Sequence, residues 1–432
     1  MKQLIIIAII SLSFFVCKAQ FLMDMVDTTT ETGKGLLNVY KKYDHLRFSG
    51  YIQPQFQVAS QKGISSFEGG DFSTRVNNRF MLRRSRVRID FVHFGKDNEA
   101  GVQFVFQFDA NERSFSVRDV WGRIFDNKYK LFSFTTGMFA RPFGYEVNLS
   151  SSDRESPERG RMTQTLMKSE RDLGAMISLD VRKAKHPLKY LKIDAGLFNG
   201  QGINAAGDFD NNKDFIGRVA LKPQKIQKAI SLSAGVSILY GGLENNTKYQ
   251  YGTGIDAGIK KQLVDSAESN IGKLSPRRYY GADMQLKIKN KTGFTELRGE
   301  LLAGQQTGTA NSTETPAALL NGADGFHTRH FNGAYLYLLQ HIFSTQHQLL
   351  VKYDWYDPNT KVKGNEIGVA GSNFTAANIK YSTLGLGYLY YITPNVKAVL
   401  YYAMPVNEKT QLAGFTTDAA DNVFSGRLQF RF

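Results

Sequence analysis

The chain has 432 residues with 31 Phe and 21 Tyr, yet it is polar on average, with a mean hydropathy of −0.32 and a formal charge of +15. Many aromatics in a polar chain fit strands with two unlike faces better than helical membrane spans, which need about 20 consecutive apolar residues. The basic balance alone suits an anionic membrane surface, anionic solutes or nucleic acid.

Residues 1–19 read as a cleaved secretory signal: Lys2, an apolar stretch from Leu4 to Val16, and Cys17-Lys18-Ala19 ahead of Gln20. The rival, a lipoprotein anchored through Cys17, has bulky Val16 where a lipidation site wants a small residue. Cleavage after Ala19 removes Lys2 and Lys18, so the charge becomes 15 − 2 = +13, and it removes the one cysteine. That leaves no disulfide or thiolate metal site. Residues 20–45 form a periplasmic N-terminal segment, a short helix or a flexible arm. No later run of about 18 apolar residues marks a transmembrane helix.

From Leu46 to Phe432 the chain alternates with a period of two, the signature of β-strands. On the second strand Arg84, Arg86, Arg88 and Asp90 alternate with Ser85, Val87, Ile89 and Phe91. Strands are expected near 46–58, 79–94, 99–110, 115–126, 130–141, 172–182, 189–199 and 213–223. The second half continues near 229–241, 277–290, 293–305, 329–343, 346–358, 377–392, 395–404 and 422–432. About sixteen strands of ~10 residues, with short links alternating with long polar ones, predict an all-β transmembrane antiparallel barrel. Its short turns would be periplasmic and its long loops outside. A soluble sandwich or propeller has no reason for that alternation; the rival reading is a large lumenal β-protein.

In such a barrel the apolar face meets lipid and the polar face meets a watery lumen. Val87, Ile89 and Phe91 would face lipid. Arg84, Arg86 and Arg88 would line the pore, with Arg123, Arg298 and Lys352 on the polar faces of their own strands. A planar guanidinium suits phosphate or carboxylate, and like charges on one strand need a partner or an anion. Arginines on one wall also set a transverse field without binding any particular solute.

The last strand, "NVFSGRLQFRF", sets Phe424, Leu428, Phe430 and Phe432 against Arg427, Gln429 and Arg431. Its terminal Phe432 resembles the recognition signal of the outer-membrane barrel insertion machinery. "FTTGMFARPFGYE", "LFNGQG", "KDFIGRVALKP", "YYGADMQLK", "LLVKYDWYDP" and "GRLQFRF" stand in that order along the chain. Together they resemble the phosphate-selective porin O and P family over nearly all of the chain from Leu46. The length and the "AQ" end of the leader are similar to those of Bacteroidetes-type outer-membrane porins. The resemblance implies a sixteen-stranded barrel in the bacterial outer membrane, a homotrimer, and passive passage of small hydrophilic solutes, anions such as phosphate above all. It also implies that the third outer loop, 142–171, folds into the lumen as a constriction. That segment carries Arg154, Arg159, Arg161, Lys168 and Arg171, set against Asp153, Glu155, Glu158, Glu170 and Asp172. These cations either select anions or pair with the acids and hold the loop's shape. The family's lumenal lysine cluster does not align onto this sequence residue by residue, which leaves phosphate selectivity apart from general anion preference.

No nucleophile–base pair, zinc spacing or phosphate-cradling glycine loop stands out, so neither an enzyme nor a cofactor or metal is expected. His327 and His330 are expected in a loop. Export and lipid-facing aromatics argue against nucleic acid. The alternative to a pore is a non-conducting structural or adhesin-like barrel, or a subunit of a larger outer-membrane complex.

Overall fold

The computed structural model describes residues 45–95, 99–205, 207–320, 322 and 324–432; the expected leader and all of the N-terminal segment but residue 45 lie outside them. Eighteen strands are formed. The first nine are β1 (Leu46–Ala59), β2 (Asn78–Phe94), β3 (Ala100–Ala110), β4 (Phe115–Phe125), β5 (Phe132–Ala140), β6 (Arg171–Asp180), β7 (Leu191–Phe198), β8 (Asp214–Lys225) and β9 (Ile230–Glu244). The rest are β10 (Gln250–Asp256), β11 (Ile259–Asp265), β12 (Leu274–Asn290), β13 (Gly293–Gly308), β14 (Phe326–His341), β15 (His347–Asp357), β16 (Tyr381–Thr393), β17 (Val396–Asn407) and β18 (Val423–Arg431).

Sixteen of them close an antiparallel ring, running β1 to β9 and then β12 to β18. Each expected strand is present, its ends within about four residues of those read from the sequence. Closure is required in hydrocarbon, where every unpaired backbone group costs several kcal/mol. β1 and β18 supply it, and Gly50 and Phe432 exchange backbone hydrogen bonds of 3.1 and 3.0 Å at the chain's last residue. No helix among the described residues is long and apolar enough to cross a membrane.

The burial pattern is inverted relative to a soluble protein. Outward side chains such as Val87, Phe106, Ile177, Leu301, Leu336 and Leu400 are exposed, whereas Gln53, Gln55, Gln57, Arg84, Arg86 and Arg298 are buried inside. Phe48, Phe94, Phe132, Tyr190 and Phe343 stand exposed near the short-turn end, as in the aromatic girdle of a membrane barrel.

Of the five register shifts in the ring, two place extra arginines in the lumen. The β1–β2 register steps from Gln53 opposite Arg84 to Pro54 opposite Leu82, which leaves Arg83 unpaired. Pro54 has no N–H to give the ladder, so a bulge there loses little. The β3–β4 register steps from Gln107 opposite Asp119 to Phe108 opposite Val117, which leaves Arg118 out. Each bulge turns two consecutive residues inward.

β10 and β11 were not expected. They form a hairpin within the long connection 245–273, outside the ring. Ala257 and Gly258, at φ 48° and 77°, make its two-residue turn, the positive-φ geometry that matches strand twist. β10 lies parallel to the outer end of β14, Tyr251 opposite His327. The alternation of short and long links is also incomplete, because the second outer connection is only 111–114.

The third outer connection, 141–170, turns into the barrel and carries the single short α-helix of the described residues, α1 (Arg161–Leu166). Its Phe143, Val147, Met162, Leu166 and Met167 pack on inward Phe139, Phe198, Tyr279, Leu302, Phe331 and Tyr356. Burying side chains of this size stabilises by about 1.5–3 kcal/mol each. The lumen therefore has an apolar core on one side, and the loop is bound to it.

Candidate functional site

The other side of the loop is held by charge. Glu158 receives Arg83 Nε at 2.8 Å, Arg84 Nη2 at 2.6 Å and Arg427 Nη2 at 3.0 Å, from β2 and β18. Arg298 of β13 grips Glu155 with two nitrogens at 2.9 and 3.3 Å and also pairs with Glu296. Lys397 donates to the carbonyls of Ser152 and Arg154 at 2.9 and 3.0 Å. Gln53 and Gln429 donate to the carbonyls of Ser151 and Ser152. Opposite these, the backbone N–H groups of Tyr145 and Glu146 donate to Glu300 at 3.2 and 2.9 Å. The loop spans the lumen and is tied at both walls.

The expected pore-lining cations all sit inside, most with a partner. Arg86 bonds Asp109 at 2.7 Å, the Tyr51 hydroxyl at 2.7 Å and Ser151 at 2.8 Å. Arg88 bonds Asp90 through two nitrogens at 2.7 and 2.8 Å. Arg123 has no carboxylate partner among the described residues; it donates to Thr135 at 2.8 Å and lies 4.8 Å from the Trp121 ring centroid. Lys352 lies 3.4 Å from Asp354.

In the loop, Arg154 donates to the carbonyls of Ser156 and Pro157, and Arg159 to those of Glu146, Val147 and Leu149 as well as to Glu170. Arg161 points the other way, its guanidinium 3.4 Å from the Tyr381 ring centroid and 4.4 Å from that of Phe67. Two positions differ from the expected constriction loop. Lys168 is exposed near the outer mouth and pairs with Glu314 at 2.7 Å. Arg171 is the first residue of β6, a wall position, bound to Asp119 and Glu170. His327 and His330 also differ, because β14 begins before them. His327 stacks on Tyr251, and His330 lies 3.3 Å from Gln305.

Arg83, Arg118 and Arg427 were not singled out from the sequence. The first two are the bulged residues, which alternation assigns to lipid. Arg427 was legible as a polar-face residue of the last strand.

The lumen contains cavities on either side of the loop. An inner one, about 340 Å³, opens between the loop and β1 to β4. Arg86, Arg88, Arg118, Arg159, Arg171 and Arg431 line it, and Asp153 is the one acidic residue lining it among the described residues. Their other partners, Asp90, Asp109, Asp119 and Glu170, do not line it. An outer cavity of about 510 Å³ lies among the outer loops. Between the two is a gap of about 10 Å³, which shares Arg161 and Asp421 with the outer cavity and Arg159 with the inner one. That gap has room for about one water. Glu68, brought in by the first outer loop, forms part of it.

No protein-family model matches the chain, and no curated protein does. Solved structures do. The outer-membrane channel DcaP of Acinetobacter baumannii superposes with a TM-score of 0.54 at 10% identity, over 90% of this chain and 97% of that one. OmpF of Salmonella typhi gives 0.51 at 12% identity over 90% and 97%. OmpT of Vibrio cholerae, in trimer form, gives 0.50 at 9% over 90% and 99%. At these identities the likeness is one of fold, and the fold is that of the sixteen-stranded outer-membrane porins.

Proposed function

We propose that the chain is an outer-membrane diffusion porin with a preference for small anions. The observation that carries this reading is the inner cavity, whose charged lining is six arginines and one aspartate. Each of the six arginines has a carboxylate partner, but all of those carboxylates except Asp153 lie outside the lining, so the guanidiniums are what face the cavity. Focused positive potential raises the local concentration of anions in a low-dielectric passage. Movement runs down the solute gradient without a cofactor or a chemical step. On this reading the chain is exported by its leader and inserted through its C-terminal strand, and it assembles as a homotrimer. Phosphate, implied by the resemblance to the O and P porins, is one anion among those admitted.

The test is the zero-current potential of the purified protein in a planar bilayer under a KCl gradient. Arg88 and Arg431 are the most exposed cavity arginines, at 34% and 51%. The expected potential is chloride-directed and falls in the double variant Arg88→Gln, Arg431→Gln. A cation-directed potential overturns the anion preference and keeps the porin. The gap of about 10 Å³ favours a second reading, a barrel closed by its own loops. Folded protein with no conductance would establish it.

A further inference from the structure

The outer cavity differs in kind from the inner one. Arg161 stands at its inner end, its guanidinium carbon 3.4 Å from the Tyr381 ring centroid and 4.4 Å from that of Phe67, and no carboxylate of the described residues lies within ion-pair distance of it. Such stacking holds a guanidinium in position while leaving its edge nitrogens free to bond. Asp421, on the last outer loop, lines the same cavity. Its Oδ1 is buried and without a hydrogen-bond partner among the described residues. A buried acceptor left unpaired is costly, so this oxygen favours a donor brought by a ligand. Arg161 and Asp421 are close enough to influence each other's charge, but they do not meet. Burial pushes the Asp421 carboxyl up to about 6, with Arg161 opposing the shift and Asp418 adding to it.

One unpaired cation and one underused carboxylate thus share a cavity of about 510 Å³, within the range of small-molecule sites, roughly 300–1,000 Å³. Phe67, Tyr356, Tyr381 and Phe415 give it apolar faces. A simple anion would satisfy Arg161 and leave Asp421 repelling it. A simple cation would do the reverse.

We propose that this cavity recognises zwitterionic solutes, amino acids or short peptides with an apolar side chain, whose carboxylate takes Arg161 and whose ammonium takes Asp421. The inference goes beyond the diffusion reading and does not depend on the anion preference of the inner cavity. Recognition at the outer mouth would concentrate such solutes ahead of the loop.

The test is calorimetric titration of the full chain, folded in detergent, with L-phenylalanine, with phenylpropionate, which lacks the ammonium, and with phenethylamine, which lacks the carboxylate. Phenylalanine should bind about tenfold or more tighter than either analogue. Asp421→Asn should bring phenylalanine down to the level of phenylpropionate, and Arg161→Gln to that of phenethylamine. Far-UV circular dichroism checks that each variant is folded, and Arg161→Lys replaces a variant that is not, with partial binding expected. Phenylpropionate binding as tightly as phenylalanine, or no binding of any probe, overturns the proposal. Conductance is measured on the same preparation without solute. Protein that conducts but does not bind refutes the zwitterion site alone, and protein that binds but does not conduct refutes the diffusion reading alone.

Discussion

Arg84 and Glu158 meet across the lumen, Nη2 to Oε2 at 2.6 Å, and join a wall strand to a loop 74 residues further along the chain. Arg83 and Arg427 complete the clamp, so one carboxylate serves three guanidiniums. Glu158→Gln leaves all three without their shared partner. Breaking a buried ion pair from one side costs about 3–5 kcal/mol. The expected result is a loss of that order in urea unfolding, together with noisier single-channel currents as the loop loosens on its charged side.

The same clamp has a pH signature. Burial raises the Glu158 carboxyl, but Arg83, Arg84 and Arg427 outweigh it and hold it well below the usual carboxylate range. A depressed folded value contributes stability that is complete above the unfolded value and lost only as pH falls through the folded one. The loop should stay clamped at pH 4, with channel noise unchanged from pH 7. An early loss of the clamp near pH 4.5 would contradict this.

Glu68 behaves in the opposite sense. Burial pushes its carboxyl up from 4.5 to about 7, with Lys352 pulling against the rise. Between those values the folded state holds the extra proton, so docking of the first outer loop weakens as pH rises through that window. Gln57 donates to the Glu68 carbonyl, and the Glu68 N–H donates to Ser66 Oγ at 3.0 Å. Hydrogen exchange at the Glu68 amide, corrected for its intrinsic rate, should be faster at pH 8 than at pH 5. Glu68→Gln should abolish the difference.

The outward face can be tested against the bilayer directly. Leu336 of β14 is 55% exposed, next to Tyr335, which is 1% exposed inside the barrel. Leu336→Arg should cost about 2–4 kcal/mol in unfolding from lipid bilayers, the range for a charge near the midplane. A cost near zero would mean that this face does not meet hydrocarbon.

The β10–β11 hairpin is a cover for the outer loops and not part of the ring. Lys260 pairs with Glu366 at 2.8 Å, and the Gln262 N–H donates to Asn373 at 2.6 Å. Replacing 249–266 by a short linker should leave the β-sheet circular dichroism and the unfolding midpoint unchanged. Trypsin should then cut faster at Lys361 and Lys363.

The sequence by itself determined the ring. Its strands alternate because one face meets hydrocarbon and the other meets the lumen, and a period of two is visible without knowing any neighbour. Arg86, Arg88, Arg298 and Lys352 were placed inside on that ground alone. The hairpin was legible too, in the alternation around Ala257-Gly258, but it lay within a stretch read as loop. Tertiary structure alone decided the rest. A bulge shifts parity at one residue, and only the partner strand's register reveals it, so Arg83 and Arg118 were out of reach. The choice between free and paired cations depends on contacts between residues far apart in the chain, such as Glu155 with Arg298 and Glu158 with Arg427. Alternation shows which face a charge occupies; only the folded loop shows which charges find a partner and which, like Arg161, have no carboxylate partner among the described residues.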